Sequence, residues 1–108
     1  MIKVAVILGD ALRGFELYGP FEGFDSASRW GEKENHHTRL FWQTMEIYDT
    51  VRPGLQDANG GHVVVTGNMF KGGIALMGIF NLEGAVEYGI VALKQGPALV
   101  VELLEVTA

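Results

Sequence analysis

Apolar residues recur along this chain at two spacings, every second position and every third or fourth, and the switches between them predict its elements. From Ile2 to Leu8 the side carrying Ile2, Val4, Val6 and Leu8 and the side carrying Lys3, Ala5 and Ile7 are both largely apolar. A strand covered on two faces reads this way. Phe15 to Tyr18 form a second strand that pairs back on the first, and Gly19-Pro20 is expected to end it, because proline cannot donate to a central ladder. A helix follows from about Asp25 to Glu34, capped by Asp25 or Ser26, with Phe24, Ala27 and Trp30 inward and Arg29, Glu32 and Lys33 in water. Phe41 to Tyr48 then alternates as a strand, with Phe41, Gln43, Met45 and Ile47 on one side and Trp42, Thr44, Glu46 and Tyr48 on the other.

The same order returns after residues 49–61, which hold Pro53-Gly54 and Asn59-Gly60-Gly61 and read as a linker. His62 to Thr66 and Ile74 to Ile79 form a hairpin. Leu82, Ala85, Val86, Gly89, Ile90 and Leu93 fall at helical spacing and predict one full apolar stripe facing the core. Asn81 caps that helix, Lys94 sits at its end and Gly96-Pro97 stops it. Ala98 to Val106 is the last strand, apolar on both sides.

Sliding the sequence by 58 positions sets Gly9 on Gly67, Arg13 on Lys71, Gly14 on Gly72, Phe24 on Leu82, Ala27 on Ala85, Trp30 on Tyr88 and Gly31 on Gly89. One inserted residue then brings Gly19 onto Gly78 and Phe21 onto Phe80. Turn glycines and large apolar residues recurring together mark a repeated supersecondary unit. The expectation is a single domain over 1–108, with unit 1 at 1–50, a linker at 51–61 and unit 2 at 62–108. Its fold class is α+β: ferredoxin-like layering, an antiparallel sheet with two helices on one face and an internal ββαβ duplication. Two helices cover only one side of such a sheet, so its oily open face predicts a homodimer formed through that face.

Composition narrows the partners. The 108 residues leave no room for separate catalytic and binding domains, and 48% of them are hydrophobic. A formal net charge of −5 without a basic cluster argues against nucleic acid. There is no cysteine, hence no disulfide, thiolate metal site or cysteine nucleophile. Gly9-Asp10 interrupts the N-terminal apolar run, so neither a signal peptide nor a membrane span is read, and a cytoplasmic protein is expected.

The motif Tyr18-Gly19-Pro20-Phe21, followed by Ala27 and Trp30-Gly31 and echoed where Thr66-Gly67-Asn68 opens the second hairpin, resembles small bacterial and phage proteins built on a strand-turn-strand-YGPF-helix unit. The resemblance covers most of each half and implies no particular function. Strand, Gly-Pro-Phe and a helix with a fixed alanine is also similar to the SPOR domains, which implies a peptidoglycan-binding module. More loosely, the layering resembles the dimeric ferredoxin-like proteins, whose α+β barrels include small-molecule oxygenases and isomerases.

Candidate chemistry is sparse. Adjacent His36 and His37 point in different directions, and no spaced carboxylates complete a metal site, so no metal or other cofactor is expected. His62 at a strand start, with Glu16 and Glu46 on strand faces, are the candidate acid–base residues. Trp42 and Tyr48 share a face with Glu46 and are the candidate lining of a small-ligand pocket. The glycine-bracketed stretches Gly9–Gly14 and Gly67–Gly72 join antiparallel strands and read as turns. The favoured function is a non-catalytic homodimeric or partner-binding module. The alternatives are an enzyme or ligand binder with a pocket near Trp42 and Tyr48, and a peptidoglycan binder.

Overall fold

The computed structural model describes residues 2–10, 14–38, 42–49, 55–57, 59–67 and 73–106. Phe41, the Pro53-Gly54 turn and the expected counterparts Arg13, Asn68, Lys71 and Gly72 lie outside the described residues. The elements are β1 (Lys3–Asp10), β2 (Gly14–Glu22), α1 (Phe24–Thr38), β3 (Trp42–Tyr48), β4 (His62–Thr66), β5 (Ala75–Phe80), α2 (Leu82–Leu93) and β6 (Ala98–Leu104).

The ferredoxin-like α+β expectation is corrected by the pairing of these strands. Their hydrogen-bonded order is β1-β2-β6-β4-β5-β3 and it closes, giving a mixed barrel in place of an open antiparallel sheet. β2 with β6 and β3 with β5 are parallel neighbours. The helices do not share one face of a sheet: α1 packs on β1 and β2, and α2 packs on β4 and β5. A sheet that closes has a covered side of its own, so strands apolar on both faces do not require a second chain. The premise of an open face goes with the ferredoxin-like layering.

The chain groups into two compact units, Met1–Glu46 with Leu103–Ala108, and Ile47–Glu102. In the first, β1 and β2 run antiparallel from Lys3↔Glu22 to Asp10↔Gly14, with a register shift between Val4 and Val6. Val4 faces Phe21 and Val6 faces Tyr18, so the single residue Ala5 stands opposite Gly19 and Pro20. That bulge is why β2 runs on through Gly19-Pro20 instead of ending there: a bulged residue needs no ladder donor, and Gly19 supplies the φ of 146°. α1 begins at Phe24, one residue before the expected cap, with the Ala27 amide bonded to the Gly23 carbonyl at 3.5 Å. Val4, Val6, Leu8 and Ala27 form the buried cluster, bordered by Tyr18, Phe21, Trp30 and Trp42. Phe24, expected inward, is 43% exposed.

The second unit repeats the device. β4 and β5 pair antiparallel, and His62↔Phe80 followed by Val63↔Gly78 leaves Ile79 as the extra residue. β6 runs antiparallel to β4 from Thr66↔Ala98 to His62↔Glu102. The end of β3 joins β5 in parallel through Ile47↔Leu76 and Tyr48↔Met77. Val64, Phe80 and Ala85 are the buried cluster, with Leu55, Met77, Tyr88, Ala98 and Val100 against it. Asn81 caps α2 by accepting the Gly84 amide at 2.7 Å. Leu55 to Asp57, inside the expected linker, are tied to β5: Gln56 bridges Phe80, and the Asp57 amide donates to the Ile79 carbonyl at 2.8 Å.

Gly31 tests how tightly α1 is seated. A Cβ there would stand 2.4 Å from the Trp42 ring, whereas one at Gly61 would meet nothing within 4 Å. Gly31→Ala is expected to lower the unfolding free energy by about 1–3 kcal/mol through overpacking. Gly61→Ala is expected to leave it unchanged or raise it by up to about 1 kcal/mol. Urea titration reads both, and a Gly31→Ala protein as stable as the parent contradicts the seating.

Candidate docking surface

Residues of a helix advance by about 100° each, which sets Gly84, Ala85, Tyr88 and Gly89 on one arc of α2 and Leu82, Val86, Ile90 and Leu93 on the arc next to it. Gly84, Ala85 and Gly89 are buried on the inner arc, and Tyr88 beside them stacks on Phe80 with ring centroids 5.3 Å apart. Leu82, Val86, Ile90 and Leu93 lie within about 80° of one another on the outer arc. They are 56%, 45%, 58% and 59% exposed. The single inward stripe expected for this helix is therefore corrected: Ala85 packs with Val64 and Phe80, Gly89 lies against Val100 of β6, and the four large aliphatics face solvent. The cause is the inner contact, since a Cβ at Gly84 would stand 2.6 Å from the Leu55 carbonyl oxygen. Only small residues fit at that approach, and the branched ones turn away.

The fold does not demand this. α1 covers its hairpin in the same manner, with Ala27 and Gly31 buried at the positions matching Ala85 and Gly89. On the 58-residue offset, Leu82, Val86, Ile90 and Leu93 correspond to Phe24, Ser28, Glu32 and Asn35. One helix thus carries a mainly polar set of residues where the other carries an aliphatic one. Among the described residues the large exposed aliphatics are Ile2, Leu82, Val86, Ile90, Leu93 and Leu99, so the α2 stripe is where they concentrate. Its apolar area is a few hundred Å², the size at which a patch on a monomer is often functional. Glu83, Glu87 and Lys94, all exposed, flank the stripe on one side.

The residues singled out for chemistry stand on β2, α1, β3 and β4. Half-buried His62 opens β4 opposite Phe80 and Glu102, and its Nδ1 is buried without a hydrogen-bond partner. Exposed Glu16 on β2 accepts a long bond, 3.4 Å, from the Tyr18 hydroxyl. Glu46 is half-buried on β3. The ring of Trp42 packs on Gly31 of α1, and Tyr48, at the other end of that strand, is 50% exposed. His36 and His37 lie in α1, and their side chains are outside the description. Among the described residues no group of three His, Asp or Glu side chains gathers as a metal site requires. No helix among them is long and apolar enough to cross a membrane.

A recess of about 470 Å³ opens at the C-terminal end of α2, lined by Thr66, Gly67, Tyr88, Val91, Gln95 and Pro97. Three backbone acceptors there are engaged: Val91 and Ala92 carbonyls take the amides of Lys94, Gln95 and Gly96, and the Pro97 carbonyl takes the Gly67 amide. None of His62, Glu16, Glu46, Trp42 and Tyr48 lines it. The α2 positions are visible in the sequence, and the signal for their outward placement is the small-residue set Gly84, Ala85, Gly89 and Ala92, which marks the adjoining arc as the packing face. No family model, no curated protein and no solved structure matches the chain.

Tyr18 on β2 sits between the ring of Trp30 and the carboxylate of Glu16. Burial first, then the charge of Glu16, its hydrogen bond and the charge of Glu34 raise the phenol above its usual 10.0. A raised folded value means that the folded state holds this proton longer than the unfolded chain does. Its stabilisation is full below pH 10 and is lost as pH climbs from there through the folded value. Thermal melts between pH 9 and pH 11.5 (approximate working limits around the phenol range) should fall more steeply for the parent than for Tyr18→Phe. Parallel curves contradict the assignment.

Proposed function

We propose that this chain is a small non-catalytic interaction module whose working surface is the outer arc of α2. The observation that carries the reading is the contrast between the two helices: at positions that correspond in sequence α1 has Phe24, Ser28, Glu32 and Asn35, and α2 has Leu82, Val86, Ile90 and Leu93, all four exposed. An aliphatic stripe that contributes little to its own core gains most of its burial on association. An amphipathic helix laid against an apolar surface is a recurrent recognition mode, read through anchors at this spacing. A catalytic reading has less support, because the candidate acid–base residues stand on separate elements and no cluster of ionisable groups accompanies the recess. A cytoplasmic setting belongs to the same proposal and is supported by the cysteine-free composition.

A solvatochromic apolar dye such as anilinonaphthalene sulfonate tests whether the stripe is an available docking face. Dye fluorescence with the folded parent is expected to exceed that with Val86→Lys/Ile90→Lys several-fold, with unchanged far-ultraviolet circular dichroism. Equal fluorescence from both folded proteins overturns the reading.

A further inference from the structure

We infer that the surface fitting the α2 stripe is the same stripe on a second copy of the chain, the two helices antiparallel about a two-fold axis that crosses the stripe midway between Val86 and Ile90. The inference rests on the docking reading above and names its partner. An isologous contact requires a self-complementary surface. The stripe is one, with Leu82 and Val86 on one side of residue 88 and Ile90 and Leu93 on the other, so reversal lays each aliphatic pair over the opposite pair of its twin.

The charges choose the direction. Glu83 lies at the N-terminal end of the stripe and Lys94 at its C-terminal end, on the same flank, and both are exposed. Antiparallel pairing brings Glu83 of each copy to Lys94 of the other, twice per dimer. Parallel pairing puts that flank on opposite edges of the seam in the two copies, so that Glu83 and Lys94 do not meet, and aligns the helix dipoles. A lipid surface fits less well, because interfacial helices rim their apolar face with Lys and Arg, and this flank carries two glutamates for one lysine. Exposed ion pairs contribute little affinity, so here they select orientation. The aliphatic stripe supplies the attraction, and at a few hundred Å² per copy it falls below the ~800 Å² per partner of a standard interface. The dimer is therefore a weak one, with a dissociation constant in the micromolar range or above.

Sedimentation equilibrium of the full chain from about 10 μM to about 1 mM reads the association across that range. The expected result is a mass that rises from one protomer towards two, and that stays at one in Ile90→Lys. Glu83→Lys alone and Lys94→Glu alone are each expected to weaken the dimer about three- to tenfold, and the double swap Glu83→Lys/Lys94→Glu to restore it. All four changes sit on exposed positions, and circular dichroism verifies that each protein is folded. A parent that stays monomeric throughout, while its dye binding still depends on Val86 and Ile90, overturns the second copy and leaves the docking face standing. A dimer indifferent to Ile90→Lys, with dye binding also indifferent, overturns both. A dimer lost in Ile90→Lys but not restored by the double swap overturns the antiparallel arrangement.

Discussion

Each helix is approached so closely on its inner side, α1 by Trp42 of β3 and α2 by Leu55 of the segment before β4, that only glycine or alanine fits there, and the rest of each unit follows from that approach. Ala27 and Ala85 are sealed from solvent, and a methyl group at Gly31 or Gly84 would run into the Trp42 ring or the Leu55 carbonyl. With no room for large side chains on the inner arc, the bulk of the layer comes from the hairpin and the helix edge: Phe21 beside Trp30 at 5.7 Å, Phe80 beside Tyr88 at 5.3 Å. Interiors are packed at crystal-like density, so such a contact is sensitive to a single methylene. The bulges at Ala5 opposite Gly19-Pro20 and at Ile79 serve the same layer, since they carry each second strand past a break in the ladder and on to Phe21 or Phe80, which borders or joins the cluster.

The same constraint separates packing from recognition. Because the inner arc is filled by small residues, the outer arc is nearly free of any packing duty, and its chemistry can differ between helices without disturbing the units. α1 sends Arg29, Glu32 and Lys33 into water, whereas α2 sends Leu82, Val86, Ile90 and Leu93. Full burial of one such side chain is worth about 1.5–3 kcal/mol. Most of that is unrealised on α2 when residues 82, 90 and 93 are more than half exposed. It is available to a partner, less the cost of association.

Much of the local structure is legible in the residues. The Asn81 cap and the Gly96-Pro97 stop bound α2 as observed, and the two-sided apolar run marks β1 as a strand buried on both faces, whereas the last strand, read the same way, leaves Leu99 51% exposed. What local spacing does not carry is which apolar residue turns inward. Ala85 and Gly89 fall on the same helical period as Val86 and Ile90, and a period weighs methyl and isobutyl alike, although the close approach does not. Gly19-Pro20 reads as a break because proline lacks a donor, and only the one-residue excess on β2 shows how the ladder passes it. The parallel pairs Leu17↔Leu103 and Ile47↔Leu76 join residues far apart in sequence, and no local pattern encodes them. Leu82, Val86, Ile90 and Leu93 are legible as an apolar set, but their spacing alone assigns them to the core side, and the structure leaves them exposed.

Because the chain has no cysteine of its own, single cysteines report side-chain exposure without background. Ile90→Cys and Ala85→Cys, labelled with a maleimide in dilute solution, test most directly that α2 turns its small residues in and its large ones out. The account predicts that the thiol at 90 reacts about as fast as in the unfolded chain, while the thiol at 85 is protected until the protein unfolds. A protected thiol at 90, or equal reactivity at the two positions in the folded protein, contradicts it.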